Sequence, residues 1–328
     1  MTLLNIFYIV IGVVLVIWGA DRLTEGASSL ARGMRVPEIV IGLTIVAAGT
    51  SAPEMFVSLV SALKSTADLS VGNVIGSNIF NTTLIVGCSA LVAPMVVSKS
   101  TVRKDIPFAV VASLLLFVLC FDDMDSPHLW GNEITRSDGV ILLIAFMGFM
   151  IYTFSAAKKD GLMPTEEEKE DNKELPKDYS RMGRNILWIV LGLACLIYGS
   201  NLLVDAATYV AHRFGVRQSI IGLTIVAGGT SLPELATSVV AAYKGRSAIA
   251  IGNVIGSNVF NILLILGVTA VIHPLRIMGI TIVDLMTLLV TIGFLWLFAF
   301  TKYYVSRREG AVLVCCFLLY MGWLFYLI

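Results

Sequence analysis

Long apolar runs alternate with short polar clusters along the whole 328-residue chain. A helix that crosses a lipid bilayer needs about 20 mostly apolar residues. Ten segments meet this criterion, and they lie near residues 4–20, 38–63, 69–95, 106–121, 139–156, 186–209, 218–243, 249–272, 280–301 and 310–328. The pattern therefore predicts an all-α polytopic membrane protein with ten transmembrane helices.

The composition agrees with this pattern. Hydrophobic residues make up 57% of the chain and charged residues only 14%, with a mean hydropathy of +0.87, whereas a soluble domain typically carries about 25% charged residues. The formal net charge is zero, so nothing in the charge balance indicates nucleic-acid binding. The first apolar run has no basic residue ahead of it and no small-residue cleavage site, so we expect a retained helix and not a signal peptide.

The distribution of lysine and arginine predicts how the chain crosses the membrane. With the N-terminus outside, ten spans place eighteen of the 23 Lys and Arg residues on the inner side and five on the outer side. Positively charged residues collect in cytoplasmic loops. The sequence therefore predicts that both termini lie outside and that the central loop lies in the cytoplasm.

The central loop divides the chain into two similar halves. Residues 157–185 form a long polar stretch that reads as a solvated linker. On either side of it, residues 41–55 and 221–235 share 12 of 15 residues, and residues 72–81 and 252–261 share 9 of 10, both at an offset of 180. A duplicated scaffold without a transport role would explain the similarity, but not why the near-identical patches are the polar ones.

We predict that the two halves are inverted repeats. Residues 1–156 and residues 186–328 each contain five predicted spans, with the shared motifs at 41–81 and 221–261. Because five is odd, the second copy enters the membrane from the opposite side, and a pseudo-two-fold axis in the membrane plane relates the halves. Secondary transporters commonly have this architecture and bind their substrate near the midplane, where the repeats meet.

Two acidic residues, Glu54 and Glu234, occupy equivalent positions near the middle of predicted spans. An acidic residue at the bilayer centre costs about 2.5–3.5 kcal/mol on insertion scales. The core segments of the repeats contain no Lys or Arg that would neutralise these carboxylates. A single buried acid is compatible with a satisfied core residue, but two symmetric and unpaired ones indicate a cation site.

Oxygen-bearing residues surround the two glutamates in the sequence. Each glutamate directly follows a proline, which lacks an N–H, so we expect the preceding turn to break and to free backbone carbonyls that line a cavity. Each glutamate also follows a threonine by four residues, a spacing that places both side chains on one helical face. The hydroxyl and amide side chains of these motifs are Thr50, Thr230, Ser51, Ser231, Ser77, Ser257, Asn81 and Asn261. For any one of them, ordinary interhelical hydrogen bonding is the simpler role, whereas the whole set beside two acids indicates ion binding.

The ligand types favour a hard cation. Calcium takes about 6–8 oxygen ligands at about 2.3–2.6 Å and tolerates irregular geometry. No His or Cys lies in the motifs, which argues against zinc, copper or iron. The five cysteines all lie in apolar segments without metal-ligand spacing, and we expect them to be packing residues.

The sequences GTSAPE and GTSLPE, each followed by GNVIGSN(I/V)FN, resemble the two alpha-repeats of the cation/Ca2+ exchanger superfamily, in its prokaryotic Na+/Ca2+ exchanger-like branch. The resemblance covers essentially the whole chain, and the paired motifs are highly specific. It implies a secondary antiporter and not an enzyme, located in a prokaryotic inner membrane. It implies that the transported ions are Ca2+ and Na+, with no cofactor and no obligate protein partner.

The resemblance also implies a division of labour among the matching positions. Both glutamates and two threonine carbonyls would form the Ca2+ site, namely Glu54, Glu234, Thr50 and Thr230. Serine hydroxyls and alanine carbonyls would hold flanking Na+ ions, namely Ser51, Ser77, Ser231, Ser257, Ala47 and Ala227. Two asparagines would line the centre, namely Asn81 and Asn261. The first and sixth helices would slide as a gate against the remaining bundle.

Alternative functions remain open at this stage. A Ca2+/H+ antiporter on the same fold is the main one, although such relatives carry a different glutamate-containing segment in place of GNVIGSN. Dependence on K+ is disfavoured because K+-dependent relatives carry Asp where Asn261 stands. A cation channel is a more remote alternative. An intramembrane enzyme would need a base to activate Ser51 or Ser231, and no His or Lys lies in the core segments.

Overall fold

Helices account for most of the chain in the computed structural model, which describes residues 2–34, 36–63, 67–120, 133–159, 179–213, 227–277 and 280–327. In the first half the helices are α1 (Thr2–Met34), α2 (Glu38–Ile41), α3 (Ala47–Thr50), α4 (Ala52–Leu63), α5 (Ala67–Phe80), α6 (Val86–Val92), α7 (Ile106–Leu119) and α8 (Arg136–Lys159). In the second half they are α9 (Tyr179–Arg213), α10 (Ala227–Thr230), α11 (Leu232–Tyr243), α12 (Ser247–Val259), α13 (Leu266–Ile272), α14 (Ile282–Lys302) and α15 (Arg307–Leu327).

Wider π-helical turns join several of these helices into longer continuous rods. They connect α2 to α3, α5 to α6 and α12 to α13, and one precedes α7; their bounds are Gly42–Val46, Asn81–Ile85, Phe260–Ile265 and Thr101–Asp105. Turns of this kind inside helices occur frequently at functional sites. Here three of the four lie in or directly beside the motifs that the two halves share.

Within the described ranges, seven helices are long and apolar enough to cross a bilayer, and the bent pair Glu38–Thr50 and Ala52–Leu63 is an eighth candidate. The span predicted near residues 4–20 lies within α1, and the helix continues beyond it to Met34. The predicted span near 106–121 corresponds to α7, which is 14 residues long and extends a π-helical turn. Part of the predicted span 218–243 lies outside the described residues.

Two helical rods form the centre of the molecule. The apolar stretches Ser70–Val92 and Ser247–Ile272 are 72% and 78% buried, whereas that of Arg307–Tyr326 is only 11% buried. On the outer helices, large apolar side chains such as Ile144 and Leu319 are 66% and 74% exposed. An apolar outer surface of this extent is expected for helices that face lipid.

Helices α1 and α9 pack against each other through glycines. A Cβ atom added at Gly19 would lie 2.7 Å from the carbonyl oxygen of Gly192, and one added at Gly12 would lie 2.9 Å from that of Gly199. Small residues let membrane helices approach this closely. Because the lower-numbered glycine of α1 meets the higher-numbered glycine of α9, the two helices run antiparallel.

Two short antiparallel ribbons also connect the halves. β1 (Met95–Val96) pairs with β4 (Tyr304–Val305), and β2 (Glu133–Ile134) pairs with β3 (Leu275–Arg276). Each ribbon therefore takes one strand from the first half of the chain and one from the second.

Ion pairs connect α1 and α2 to the turn between α11 and α12. The ammonium group of Lys244 lies 2.5 Å from a carboxylate oxygen of Asp21 and 3.0 Å from one of Glu25, and Arg246 lies 3.0 Å from Glu38. Partial burial lowers the pKa of Lys244, but the hydrogen bonds and charges of Asp21 and Glu25 outweigh this effect, and the net pKa is raised. Lys244 therefore keeps its positive charge at neutral pH.

The motif glycines of the second half allow α12 to approach the first half closely. A Cβ atom at Gly252 would lie 2.8 Å from the carbonyl oxygen of Ile39 and 3.0 Å from Cα of Gly42, and one at Gly256 would lie 2.7 Å from the carbonyl oxygen of Leu43. Helix α12 is therefore closely packed against the first half at these two glycines. At Gly76, the matching position of Gly256, no atom of the described residues lies within 4 Å of an added Cβ.

We expect Gly252→Val to lower the melting temperature of the purified protein in detergent. The valine would meet backbone atoms, which cannot rotate away, and overpacking of this kind costs typically about 1–3 kcal/mol. Gly293→Ala is the matched control, because no described atom lies within 4 Å of an added Cβ there and alanine favours a helix over glycine. Equal melting temperatures for Gly252→Val and the unmodified protein would contradict this close contact.

Candidate functional site

Both glutamates lie just after a break in a helix. Helix α3 ends at Thr50 and α4 begins at Ala52, and the helical segment Glu38–Thr50 is bent by 46° relative to Ala52–Leu63. In the second half α10 ends at Thr230 and α11 begins at Leu232. The backbone of the residue at each break is no longer helical, with φ and ψ of −82° and 6° at Ser51 and of −90° and 6° at Ser231. The break that the prolines predicted is present in both halves, so the threonine and the glutamate of each motif do not share one continuous helix.

The breaks give each carboxylate a favourable electrostatic position. Glu54 and Glu234 lie in the first turns of α4 and α11. The N-terminal end of a helix carries a partial positive charge from its free N–H groups, which stabilises an acidic side chain. Both glutamates are fully buried, so this helix dipole acts where no bulk water screens it.

Hydrogen bonds cross between the two halves at the glutamates. The hydroxyl of Ser51 donates to Oε1 of Glu234 at 3.0 Å, and the hydroxyl of Ser231 donates to Oε1 of Glu54 at 2.9 Å. The Ser231 hydroxyl also lies 3.2 Å from that of Ser77. All five side chains are buried. Residues nearly 180 positions apart in the chain therefore form a single polar cluster.

Several buried polar atoms of this cluster and of the shared motifs have no hydrogen-bond partner among the described residues. Most of them are oxygen acceptors, and they are Oε2 of Glu54, Oε2 of Glu234, Oγ of Ser257, Oδ1 of Asn258, Oδ1 of Asn261 and both amide atoms of Asn81. Unsatisfied buried polar groups are rare in native proteins and call for a specific explanation. An excess of unpaired carboxylate, hydroxyl and amide oxygens suits hard cations such as Na+ and Ca2+.

Asparagines of the two halves are bonded to one another at the centre of the molecule. Nδ2 of Asn261 donates to Oδ1 of Asn78 at 3.0 Å, and Nδ2 of Asn78 donates to the carbonyl oxygen of Asn258 at 3.2 Å. Nδ2 of Asn258 in turn donates to the hydroxyl of Thr82 at 2.8 Å. These bonds hold α5 and α12 together beside the glutamates.

Two further asparagines, Asn73 and Asn253, contact the glutamate-bearing turns and were not predicted as site residues. Nδ2 of Asn73 lies 3.4 Å from the carbonyl oxygen of Glu54, and Nδ2 of Asn253 lies 3.4 Å from that of Glu234. They are equivalent residues of the two GNVIGSN motifs. The identity of this motif in both halves was the signal that could have identified them.

The remaining predicted residues lie around this cluster. The Thr50 hydroxyl is 3.0 Å from Oδ1 of Asn253 on α12. Ala47 is buried and lies against Gly256. Thr230 is the last residue of α10 and Ala227 is its first. Of the other predicted residues, Ser257 is buried on α12. Asn81 and Asn261 are buried in π-helical turns.

Comparison with known sequences gives a match over nearly the whole chain. A family described as sodium/calcium exchanger protein matches residues 4–155 and 184–326. The sodium/calcium exchanger MaX1 of Methanosarcina acetivorans is 30% identical, and the alignment covers 100% of both chains. The inner membrane protein YrbG of Escherichia coli K12 is 37% identical over 81% of this chain and 79% of its own length.

The fold is also similar to solved structures. The sodium-calcium exchanger NCX_Mj, soaked with 10 mM Na+ and zero Ca2+, superimposes with a TM-score of 0.84 at 29% sequence identity. The superposition covers 98% of this chain and 99% of the other. The helical arrangement described above therefore matches the fold of this exchanger.

Proposed function

Because this chain belongs to the sodium/calcium exchanger family, we propose that it is a secondary-active antiporter that exchanges Na+ for Ca2+ by alternating access. The chain is a multi-pass membrane protein of a family of transporters. The observation that carries the proposal is the crossed pair of hydrogen bonds, Ser51 to Glu234 and Ser231 to Glu54. It brings the only two acids of the core motifs into one buried cluster, as a shared cation site requires.

The proposed ligands follow from the cluster and its unpaired oxygens. Both glutamates, with two backbone carbonyls, hold Ca2+, namely Glu54, Glu234, Thr50 and Thr230. Serine hydroxyls and alanine carbonyls hold Na+ on either side, namely Ser51, Ser77, Ser231, Ser257, Ala47 and Ala227. Two asparagines line the space between these ions, namely Asn81 and Asn261. The excess of acceptors over donors in the cluster supports this assignment.

Charge balance supplies the physical reason for exchange. Two buried carboxylates without a counter-charge are costly inside a membrane. One Ca2+ ion or several Na+ ions neutralise the same pair, so either load lowers the cost of moving the site between the two sides. Because both ions need Glu54 and Glu234, they cannot be bound together at full occupancy. Because Na+ and Ca2+ compete for the same ligands, the movement of one ion is coupled to the movement of the other.

We further propose ten membrane spans in two inverted repeats, residues 1–156 and 186–328, joined by a cytoplasmic linker at 157–185. The strand pairs and glycine contacts that join the halves support a pseudo-two-fold arrangement. Helices α1 and α9 are the proposed gate, since they pack on each other outside the two buried central rods. In this proposal the protein lies in an inner membrane with both termini on the outer side. The distribution of Lys and Arg supports this orientation.

A Ca2+/H+ antiporter is the second candidate function. It is favoured by one observation, which is that the second carboxylate oxygens of Glu54 and Glu234 have no partner among the described residues and are free to take up protons. The same fold and the same glutamates would serve either coupling ion. The two candidates differ only in which gradient drives Ca2+ movement.

The test is uptake of radioactive Ca2+ into proteoliposomes that contain the purified protein. One set is loaded with Na+ and diluted into choline medium, a second is loaded with choline, and a third carries a pH gradient without Na+. We expect rapid uptake only in the first set. Uptake driven by the pH gradient alone would replace Na+ by H+ as the coupling ion. Equal uptake in the choline-loaded set would instead indicate a channel.

A further inference from the structure

Asn253 makes three hydrogen bonds that join the ion-binding turns of both halves. Its side chain is fully buried on α12. Nδ2 donates to the hydroxyl of Ser238 at 3.0 Å and to the carbonyl oxygen of Glu234 at 3.4 Å. Oδ1 accepts from the hydroxyl of Thr50 at 3.0 Å. One amide group thus contacts the glutamate-bearing turn of the second half and the threonine of the first.

The orientation of this amide group follows from its partners. The carbonyl oxygen of Glu234 can only accept a hydrogen bond, so the NH2 side of Asn253 must face it. Oδ1 then faces Thr50, whose hydroxyl has a single hydrogen to donate. The carbonyl oxygens of Val46 and Ala47 lie 3.1 and 3.4 Å from that hydroxyl and compete for the same hydrogen. Asn253 thus offers the Thr50 hydroxyl an acceptor outside its own helix, at 3.0 Å.

Asn73 occupies the equivalent place in the first half. Its Nδ2 donates to the hydroxyl of Ser58 at 3.2 Å and lies 3.4 Å from the carbonyl oxygen of Glu54. The same pattern of one serine and one glutamate carbonyl therefore occurs twice. A repeated arrangement of this kind indicates a requirement of the site, since packing alone does not require amide groups at matching positions, one buried at Asn253 and one partly buried at Asn73.

We propose that Asn253 is a positioning residue for the transport site, with Asn73 as its counterpart. This inference rests on the proposed function, because it assumes that the turns around Glu234 and Thr50 bind the transported ions. Asn253 fixes the backbone of both turns relative to each other, so that ligands from the two halves meet a cation at the correct separation. It does not contact the ion itself.

The expected effect is a loss of Ca2+ affinity. Removing a residue that orients metal ligands typically lowers metal affinity by about 10- to 100-fold. We expect Asn253→Ala to raise the Ca2+ concentration for half-maximal uptake by this factor. The maximal rate should change much less, since the glutamates themselves remain.

The experiment compares Asn253→Ala, Thr50→Val and the double variant. The readouts are Ca2+-dependent thermal stabilisation of the purified protein and Ca2+ uptake into Na+-loaded proteoliposomes. Because both substitutions remove the hydrogen bond between Thr50 and Asn253, the loss of Ca2+ affinity in the double variant should be smaller than the sum of the two single losses. Thr50→Ser, which keeps the hydroxyl, should retain a higher Ca2+ affinity than Thr50→Val. If Asn253→Ala does not fold, the comparison of Thr50→Val with Thr50→Ser still tests the bond.

Thr269→Val is the matched control, because its buried hydroxyl donates to the carbonyl oxygen of Ile265, one turn earlier in the same helical rod. It should leave Ca2+ affinity unchanged. A lower melting temperature with unchanged Ca2+ affinity in Asn253→Ala would overturn the proposal, as would additive effects in the double variant. If the unmodified protein itself shows neither Ca2+ stabilisation nor Na+-dependent uptake, the proposed exchange function is wrong. The result for the unmodified protein therefore separates a failure of the proposed function from a failure of the Asn253 proposal.

Discussion

Replacing Glu54 by glutamine is expected to abolish Na+-dependent Ca2+ uptake, and Glu234→Gln is expected to do the same. Each glutamate accepts a hydrogen bond from a serine of the opposite half and provides one of two negative charges in a fully buried site. Glutamine keeps the shape and the acceptor oxygen but removes the charge. A divalent cation would then remain under-neutralised in a region without solvent.

The size of this effect follows from the cost of breaking a buried charge pair, which is about 3–5 kcal/mol. Since about 1.4 kcal/mol corresponds to a factor of ten, Ca2+ affinity should fall by roughly 100-fold or more. Stability should not fall, because a neutral amide is less costly inside the membrane than a carboxylate. The measurements are uptake into Na+-loaded proteoliposomes and the melting temperature without Ca2+.

Glu133→Gln is the matched control for both substitutions. Glu133 is partly exposed and lies 3.9 Å from Arg276, and exposed ion pairs contribute about 0–1 kcal/mol. This variant should transport Ca2+ at the unmodified rate. Substantial transport by Glu54→Gln or Glu234→Gln would contradict the assignment of the glutamates as ion ligands.

The serines should matter nearly as much as the acids that they contact. Ser51→Ala removes the donor to Glu234, and Ser231→Ala removes the donor to Glu54. A hydrogen bond to a charged group contributes about 1.5–3 kcal/mol, so each substitution should weaken ion binding by roughly 10- to 100-fold. The measurement is the concentration dependence of both Ca2+ uptake and Na+ inhibition.

A double-mutant cycle separates a direct contact from a general disturbance. In a Glu234→Gln background, Ser51→Ala should have less effect than in the unmodified protein, because the charged acceptor is already lost. Ser113→Ala is the control, since this buried hydroxyl bonds the carbonyl oxygen of Ala109 within its own helix. Equal loss of Ca2+ affinity in Ser51→Ala and Ser113→Ala would show that the contact with Glu234 has no special role.

The sequence alone could predict the pair of glutamates and the breaks beside them. An acid in an apolar segment is costly, so its presence is informative, and a proline next to it predicts a break because proline lacks an N–H. The duplicated motif then predicted that Glu54 and Glu234 are equivalent. Both inferences depend on local chemistry, which a single sequence displays directly.

The contacts between the halves could not be predicted in the same way. That Ser51 bonds Glu234, and not the Glu54 of its own turn, depends on how α4 and α11 approach each other. Helical periodicity describes only one helix at a time, so it suggested that Thr50 faces the same side as Glu54. The break at Ser51 removes that relation, and the Thr50 hydroxyl contacts Asn253 instead.

The apolar pattern also could not predict the length of α1. The hydropathy of α1 falls after its first 20 residues, where charged residues begin, yet the helix continues to Met34. Asp21 and Glu25 lie in this additional helical length, where both pair with Lys244 of the second half. A tertiary ion pair of this kind has no signature in the local sequence.

The central claim, that Na+ and Ca2+ share the two glutamates, is tested most directly by equilibrium Ca2+ binding to the purified protein at increasing Na+ concentration. We predict that the apparent Ca2+ dissociation constant rises steeply with Na+, because several Na+ ions displace each Ca2+ from Glu54 and Glu234. Choline at the same ionic strength should have no such effect. A Ca2+ affinity that is the same in Na+ and in choline would contradict a shared site and, with it, the proposed exchange.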